Sequence, residues 1–421
     1  MADKWRPSTW GDEISLEYGK SLKGYRESDG NIQVFGSNGA VGWTTKALSD
    51  GPGVILGRKG AYRGVRYSKD PFFVIDTAYY VKPKTDLDMQ WLYYSIIHHK
   101  LGEIDDGSPI PSTTRAAVYV TDVDIPPLPE QKVIAHILGS LDDKIEFNQR
   151  MNATLEAMAQ TLFKSWFVDF DPVIDNALAA GNSIPDELAD RAEVRRQAIA
   201  NGTANREAAK DFPDSFQETE ELGWIPEGWE VKQVKDFGSV VCGKTPSKSN
   251  ADYYGDDVPF IKIPDMHNSA WITNTNDGLS LAGANSQAKK QIPANSISVS
   301  CIATVGKVVI ASQASHTNQQ INSVIPHRTE YRYYLYCAFL EKNKELHDLA
   351  SGGAVTLNLN TGSFSKINML SPSVEALEAY HDATDPLFKK MLASDLESQS
   401  LTKLRDTLLP KLISGELTIN Q

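Results

Sequence analysis

The chain has 421 residues, of which 41% are hydrophobic and 23% charged, a composition typical of a folded globular protein with roughly two to four domains. The net charge of −12 argues against a stand-alone nucleic-acid binder, which needs clustered Lys and Arg. Three widely spaced cysteines indicate neither a disulfide framework nor a zinc site. The sequence shows no run of ~20 apolar residues and no apolar signal core, so we expect a cytoplasmic protein without a membrane partner.

The negative charge is concentrated in one central segment. Residues 1–128 carry 15 basic and 16 acidic side chains, whereas residues 129–229 carry 9 and 19. Residues 230–372 carry 13 and 11, and residues 373–421 carry 5 and 8. The two large flanking regions are therefore nearly neutral, and the overall charge does not describe them.

Residues 1–128 and 229–372 both predict β-rich domains. Their short β-branched segments, such as residues 53–57 and 296–300, are bounded by Gly, Asp, Asn or Pro. In the first domain, residues 58–66 place three Arg, a Lys and a Tyr in a hairpin that contains glycines. An Arg side chain there can form two hydrogen bonds to a phosphate or to the edge of a guanine. Such a loop can also be an ordinary solvated hairpin. The candidate DNA-binding residues here are Lys20, Lys23, Tyr25, Arg26, Ser37, Asn38, Arg58, Lys59, Tyr62 and Arg63.

Residues 129–170 predict one long helix. From Ile134 to Trp166, residues of a coiled-coil seam recur with an unbroken 4-3 spacing, which corresponds to a helix of roughly 55–60 Å. The candidate seam residues are Leu141, Ile145, Asn148, Asn152, Leu155 and Leu162. The segment that follows, residues 171–228, predicts an acidic, loop-rich connection with a helix near residues 186–200.

The second β-rich domain repeats the first. Trp5, Asp12, Gly19 and Lys20 match residues 224 positions later. Its candidate DNA-binding residues are Lys244, Thr245, Ser247, Lys248, Lys262 and Lys307.

Residues 238–245 also fit the phosphate-loop pattern G-x-x-x-x-G-K-[ST], so one alternative is a nucleotide-binding enzyme that uses Gly243, Lys244 and Thr245. Pro246 and a turn-like sequence follow, however, where a phosphate loop needs a helix. Metal-nuclease, methyltransferase and zinc-hydrolase patterns fit no better, and we predict no active site or metal site.

Residues 373–421 predict a second long helix with the same spacing. Shifted by 246 residues, the polar pair Asn148 and Asn152 falls on Ser394 and Ser398. Polar residues at two core positions weaken a coiled coil but fix its register and partner, so the matching interruptions favour pairing of the two helices. The alternative is two unrelated helices, each packed on its own domain. The candidate seam residues of this helix are Met391, Ser394, Ser398, Leu401 and Leu408.

These motifs resemble the DNA-specificity (S) subunits of type I restriction–modification systems nearly end to end. Residues 18–23, 34–39 and 55–60 are similar to one type of target-recognition domain, and residues 243–247 and 253–261 to another. The most specific similarities are helical, and they lie in residues 127–132, 162–170 and 404–415. Residues 222–229 resemble the entry to a second recognition domain, whereas Pro372 to Glu375 departs from the usual start of the distal helix.

The resemblance implies an α+β fold with pseudo-two-fold tandem repetition. Two target-recognition domains, residues 1–128 and 229–372, would be separated by an antiparallel coiled coil of the helices in residues 129–170 and 373–421. Each domain would read half of a bipartite double-stranded DNA site. The subunit would be non-catalytic and would dock two methyltransferase (M) subunits, which use S-adenosylmethionine, and restriction (R) subunits, which use ATP and Mg²⁺.

The nearly neutral domains supply few phosphate-neutralising charges. We therefore expect weak DNA binding by the isolated subunit, with much of the affinity coming from the methyltransferase partners. A purely structural coiled-coil adaptor remains a third alternative.

Overall fold

The computed structural model describes residues 5–105, 111–204, 208–267, 269–351 and 357–417. The chain divides into two compact units. Unit 1 holds Met1–Glu146 and Gln399–Gln421, and unit 2 holds Phe147–Ser398. No helix in the described part of the chain is long and apolar enough to cross a membrane.

Unit 1 is built from short strands and a few helices. Its strands are β1 (Arg6–Thr9), β2 (Ile14–Tyr18), β3 (Ile32–Gly36), β4 (Gly39–Thr44), β5 (Gly53–Gly57), β6 (Val65–Ser68), β7 (Phe72–Val74), β8 (Ala78–Pro83) and β9 (Asp122–Ile125). Its helices are α1 (Trp10–Glu13), α2 (Met89–His98), α3 (Arg115–Tyr119), the first part of α4 (Leu128–Phe167) and the last part of α12 (Val374–Ile413).

Two sheets and one strand pair organise unit 1. A four-stranded antiparallel sheet has the order β2-β8-β5-β6, and a three-stranded sheet has the order β4-β3-β7, in which β3 and β7 are parallel. The strands β1 and β9 form a separate antiparallel pair. Helix α2, capped by the Asp88 side chain, packs on β5 and β6. Trp10, Leu56 and Trp91 are completely buried in the resulting core.

Unit 2 contains the larger set of elements. Its strands are β10 (Phe216–Thr219), β11 (Gly223–Pro226), β12 (Glu230–Gln233), β13 (Gly238–Cys242), β14 (Tyr254–Ile261), β15 (Trp271–Ile272), β16 (Gly278–Leu279), β17 (Ile297–Ser300), β18 (Val308–Ala311), β19 (His316–Thr317), β20 (Ile321–Pro326) and β21 (Asn368–Ser371). Its helices, besides the second part of α4, are α5 (Asp171–Ala180), α6 (Ala189–Ala200), α7 (Val234–Phe237), α8 (Leu281–Asn285), α9 (Tyr331–Glu341), α10 (Asn343–Ser351), α11 (Thr361–Ser365) and most of α12 (Val374–Ile413).

The sheets of unit 2 follow the plan of unit 1. A five-stranded sheet has the order β13-β20-β17-β18-β15, and a three-stranded sheet has the order β16-β14-β19, in which β14 and β19 are parallel. The strands β12 and β21 pair antiparallel, as β1 and β9 do. An aromatic core fills the space between the sheet and the long helices, with Tyr333, Tyr334 and Phe388 among its fully buried members.

The first elements of the two units, and likewise the last ones, are related by a constant difference in residue number. The series β1-α1-β2, residues 6–18, returns 224 residues later as β12-α7-β13. The bounds of β9 and α4 return 246 residues later as β21 and α12. The register returns as well, because Arg6 pairs with Ile125 as Glu230 pairs with Ser371. These elements are called the frame of each unit below, and they confirm the predicted α+β tandem repeat.

The long helices pair with each other in both units. Helices α4 and α12 have 40 residues each, which corresponds to about 60 Å. In unit 2, Asn148 Nδ2 donates to the Ser394 carbonyl, and Tyr380 Oη donates to the Ala159 carbonyl farther along α4. The partner number falls as the α4 number rises, so the pair is antiparallel, as predicted.

The connection in residues 171–228 differs from the prediction. It is not loop-rich, because it contains α5, α6 and the hairpin β10-β11. Arg191 and Arg195 of α6 each donate twice to a buried carboxylate of α5, at 2.6 Å for both bonds to Asp171 and at 2.8 and 2.5 Å to Asp175. Helix α6 confirms the helix predicted near residues 186–200, whereas α5 was not predicted, because its completely buried apolar residues, Val173, Ile174 and Ala177, span little more than one turn.

Candidate nucleic-acid interface

In unit 1, the predicted site residues of two loops are joined through Ser37. The Ser37 hydroxyl donates to the Thr77 carbonyl at 2.6 Å and accepts from the Lys59 backbone N–H at 3.2 Å. The Ser37 carbonyl accepts from the Gly64 N–H at 2.8 Å, and the Asn38 carbonyl accepts from an Arg66 side chain. The β3-β4 turn and residues 57–64 therefore form one continuous surface, on which the Lys59 side chain is exposed.

The Arg58 guanidinium lies over an aromatic ring. Its Cζ is 4.8 Å from the centroid of the Tyr18 ring, and its Nη1 donates to the Asp76 carbonyl at 3.1 Å. Arg115 approaches the same ring, with its Cζ at 4.1 Å. Tyr18 is 47% exposed and contacts Tyr79 behind it. Burial, together with a hydrogen bond to Tyr18, raises the pKa of Tyr79 to about 12.

Arg63 has a different role from the one predicted. Its Nε donates to the Gly102 carbonyl at 2.9 Å, and its Nη1 donates to the Gly60 carbonyl at 2.7 Å. Its Nη2 donates to the carbonyls of Glu103 and Ile104. The Arg63 guanidinium thus links the loop to the segment that follows α2. Its N–H donors are bonded to protein carbonyls and are not available to DNA.

The remaining candidates of unit 1 lie at the surface: Lys20, Lys23, Tyr25, Arg26 and Tyr62. Tyr62 is 79% exposed, and the Tyr25 carbonyl accepts from the backbone N–H of Trp43, itself 47% exposed. The Arg26 Cζ lies 5.9 Å from the Tyr25 ring centroid, and such a pairing of a cation with an aromatic ring is suited to nucleic acid.

A Gly-Lys pair follows β2 in unit 1 and β13 in unit 2 for the same steric reason. A Cβ at Gly19 would lie 2.0 Å from the Ile75 carbonyl oxygen, and a Cβ at Gly243 would lie 2.2 Å from that of Asn318. The following N–H groups donate across the same gap, from Lys20 to the Val74 carbonyl and from Lys244 to that of Thr317. Glycine is therefore required where the chain passes over the neighbouring sheet.

In unit 2, the candidate cations occupy different local environments. Lys244 and Lys248 are exposed, and the Thr245 hydroxyl donates to Gln319 at 2.6 Å. Lys262 is paired with Asp277 at 2.6 Å, so its charge is already compensated. The hydroxyls of Ser247 and Ser249 bond to each other.

Lys307 borders a separate, open cavity of about 520 Å³, which is lined also by Asn152, Glu156 and His347. Lys307 is exposed there, and its position distinguishes it from the other candidates of unit 2.

The phosphate-loop pattern does not form a phosphate loop. Residues 238–242 are the strand β13, and no helix begins at Lys244. The next helical turn is the short Ala251–Tyr253. The N–H groups of Gly243 and Lys244 donate to the carbonyls of Ile321 and Thr317, so they are unavailable to a phosphate.

The polar seam residues of the two long helices meet in unit 2. Asn148 Nδ2 reaches Glu397 at 2.8 Å and Ser398 Oγ at 3.2 Å. Asn152 Nδ2 donates to the Met391 carbonyl at 3.1 Å and to Asp395 at 2.8 Å. Burial raises the pKa of Asp395 despite these bonds. Of the apolar candidates, Met391 is buried and the others are half-buried: Leu141, Ile145, Leu155, Leu162, Leu401 and Leu408.

The described residues contain no group of three or more His, Cys, Asp or Glu side chains that could hold a metal ion. Tyr18 and Arg115 lie on this candidate surface and were not among the predicted site residues. Arg115 stands alone in its segment, without a basic neighbour or a motif, so no local signal could have identified it.

Comparison with known proteins gives consistent results. Residues 3–157 and 226–389 match the model of the type I restriction modification DNA specificity domain. The chain is 47% identical over 329 residues to the type I restriction enzyme HindI specificity subunit of Haemophilus influenzae, covering 73% of this chain and 71% of that protein. It is 24% identical over 439 residues to the MjaIX specificity subunit of Methanocaldococcus jannaschii, covering 98% and 88%.

The fold also has a counterpart among solved structures. The crystal structure of a type I restriction–modification S subunit from M. genitalium aligns with a TM-score of 0.59 at 14% identity, over 99% of this chain and 97% of that one. Matches in sequence over most of the chain confirm the resemblance noted above: the chain belongs to the family of type I restriction–modification DNA-specificity subunits, which are non-catalytic.

Proposed function

We propose that this chain reads a bipartite double-stranded DNA site, with one half recognised by the surface of each unit. The observation that carries the proposal is the sheet plan shared by the two units, which presents equivalent loops with different side chains. In unit 1 the loop closes through the Gly57 N–H and the Gly64 carbonyl at 2.8 Å, and in unit 2 through Ser300 and Lys307 at 2.9 Å. Because the scaffold is the same and the side chains differ, each unit would read its own sequence.

The same proposal includes protein partners. The chain would dock two methyltransferase subunits and restriction subunits, and these would bind S-adenosylmethionine, ATP and Mg²⁺. Support comes from the outer faces of the long helices, where Met158 and Leu396 in unit 2 and Leu404 in unit 1 are about half exposed. Docking of a protein partner would bury these side chains, as interfaces bury exposed apolar patches.

The test is the pattern of adenine methylation in cells that express the chain with its methyltransferase partner. We expect a bipartite motif. We expect Lys59→Gln in unit 1 to weaken methylation at that motif. The matched variant is Lys248→Gln, the same substitution of an exposed candidate lysine in unit 2. Methylation of a single undivided motif would contradict the proposal. An adaptor without a reading role would leave methylation unchanged in Arg58→Ala and Lys59→Ala, and nucleotide binding lost on Lys244→Ala would favour an enzyme.

A further inference from the structure

Two guanidinium groups share one exposed aromatic ring in unit 1. Arg58 and Arg115 both lie within 5 Å of the Tyr18 centroid, and both lie within 6 Å of the Tyr79 centroid. Arg115 Nε is buried without a hydrogen-bond partner. Among the described residues, neither guanidinium forms an ion pair with a carboxylate.

This arrangement leaves guanidinium hydrogen-bond donors without a protein acceptor among the described residues. Stacking on an aromatic face holds a guanidinium in a fixed plane, so less conformational entropy is lost when its fork binds a ligand. Two like charges on one ring also repel each other, and an acceptor with negative potential would relieve that repulsion. Arg58 uses one donor on the Asp76 carbonyl, and its other donors are free of protein partners among the described residues.

The corresponding position of unit 2 has no cation. Tyr18 pairs with Tyr79 across β2 and β8, and Cys242 pairs with Asn322 across β13 and β20 in the same register. The Arg58 N–H donates to the Thr77 carbonyl as the Cys301 N–H donates to that of Gln320. Cys242, Asn322 and Cys301 therefore replace Tyr18, Tyr79 and Arg58.

The residue of unit 2 that corresponds to Arg115 is also uncharged. Arg115 is the first residue of α3 after the capping Thr114, and Thr361 is the first residue of α11 after the capping Asn360. The Thr361 hydroxyl donates to Asn322 at 2.9 Å. A closed, uncharged cluster in unit 2 thus stands where unit 1 has two stacked cations, so the difference belongs to what each unit recognises rather than to the frame.

We propose that Arg58 and Arg115, stacked on Tyr18, read a guanine in the DNA half-site bound by unit 1. Guanine presents two acceptors, O6 and N7, to a planar fork in the major groove, and Arg is the residue that most often contacts them. The exposed ammonium groups of Lys20, Lys23 and Lys59 are suited instead to phosphates, because they are flexible point charges. The inference rests on the proposed function and adds the base that one unit recognises.

The experiment compares Arg115→Lys with Lys59→Gln in the complex with the methyltransferase. For Arg115→Lys, which keeps the charge and loses the planar fork, we expect one guanine position of one half-site to become degenerate in the methylation motif. Affinity for the cognate duplex should fall about 10- to 100-fold, whereas affinity for a duplex lacking that guanine should not change. For Lys59→Gln, we expect uniformly weaker binding to both duplexes and a smaller salt dependence.

The other half-site is an internal control for folding, since a misfolded subunit would lose both halves. A uniform loss of affinity in Arg115→Lys, as for Lys59→Gln, would overturn the guanine assignment, and so would an unchanged motif. If the wild-type complex methylates no bipartite motif, the proposed function itself fails, and this outcome is recognised before any variant is compared.

Discussion

Glu13 is a completely buried carboxylate in the frame of unit 1. It accepts hydrogen bonds from Ser8 and Thr85 at 2.5 Å and pairs with Arg6 at 2.7 Å. Burial alone would raise its pKa, but the hydrogen bonds from Arg6, Ser8 and Thr85 outweigh burial and lower the pKa below its ordinary value. The ionised carboxylate therefore stabilises the fold at neutral pH.

We expect Glu13→Gln to lower the free energy of unfolding by about 1–3 kcal/mol at pH 7, because the amide cannot accept all three bonds. A carboxylate with a lowered pKa contributes stability above its unfolded pKa, and this contribution is lost as pH falls through the folded value. The difference between wild type and variant should thus shrink from pH 7 towards pH 3 in denaturant unfolding. The exposed Asp12→Asn is the control and should cost little. A loss that is equal at all pH values would contradict the role of charge.

At the scale of an element, the helix pair of unit 2 depends on the bond between Asn152 and Asp395. Asp395 also accepts from Ser269 at 2.5 Å, and its burial makes each donor important. We expect Asn152→Ala to destabilise the chain by about 1–3 kcal/mol, because a partly buried carboxylate loses a partner. In a double-mutant cycle, the cost should be smaller by about 0.5–3 kcal/mol in the Asp395→Ala background. Additive effects of the two substitutions would show that the bond does not couple the helices.

The helices also show what sequence could predict. A heptad pattern reports which face is buried, and it gave the start of α4 to within two residues and the polar contacts of Asn148 and Asn152. It could not reveal α5, which has only ten residues: its completely buried Val173, Ile174 and Ala177 form an apolar stripe too short to show a period, and Asp171 and Asp175 bond to Arg side chains.

The same limit applies to the candidate site. The basic loop around Arg58 is visible as a local composition, but the role of Arg63 depends on carbonyls of residues 102–104, and Arg115 reaches Tyr18 only through the tertiary fold. Local composition therefore predicted a nucleic-acid surface in this region. Which of its side chains keep donors available to a ligand depends on long-range packing.

At the scale of the whole molecule, both long helices run without interruption from one unit's residues into the other's. We expect a seven-residue insertion in both helices, after Glu146 and after Ser398, to lengthen the unread DNA spacer. Seven residues add about 10.5 Å, which corresponds to at most about 3 base pairs. Methylation motifs of the variant and of wild type provide the measurement. The same insertion at the exposed turn after Gly202 is the control, and an unchanged spacer in the helix variant would refute the prediction.

The register of the frame has a consequence for how such a chain can change over generations. Between the first and last frame strands, the residue offset of the repeat rises from 224 to 246, yet the β1-β9 and β12-β21 pairs keep the same register. Unit 2 therefore accommodates 22 additional residues without moving the start of its helix. Because the first and last frame strands of each unit pair with each other, genetic exchange with crossovers in those strands would transfer the whole segment between them. Such an exchange would replace the loops of one unit while both long helices are inherited intact.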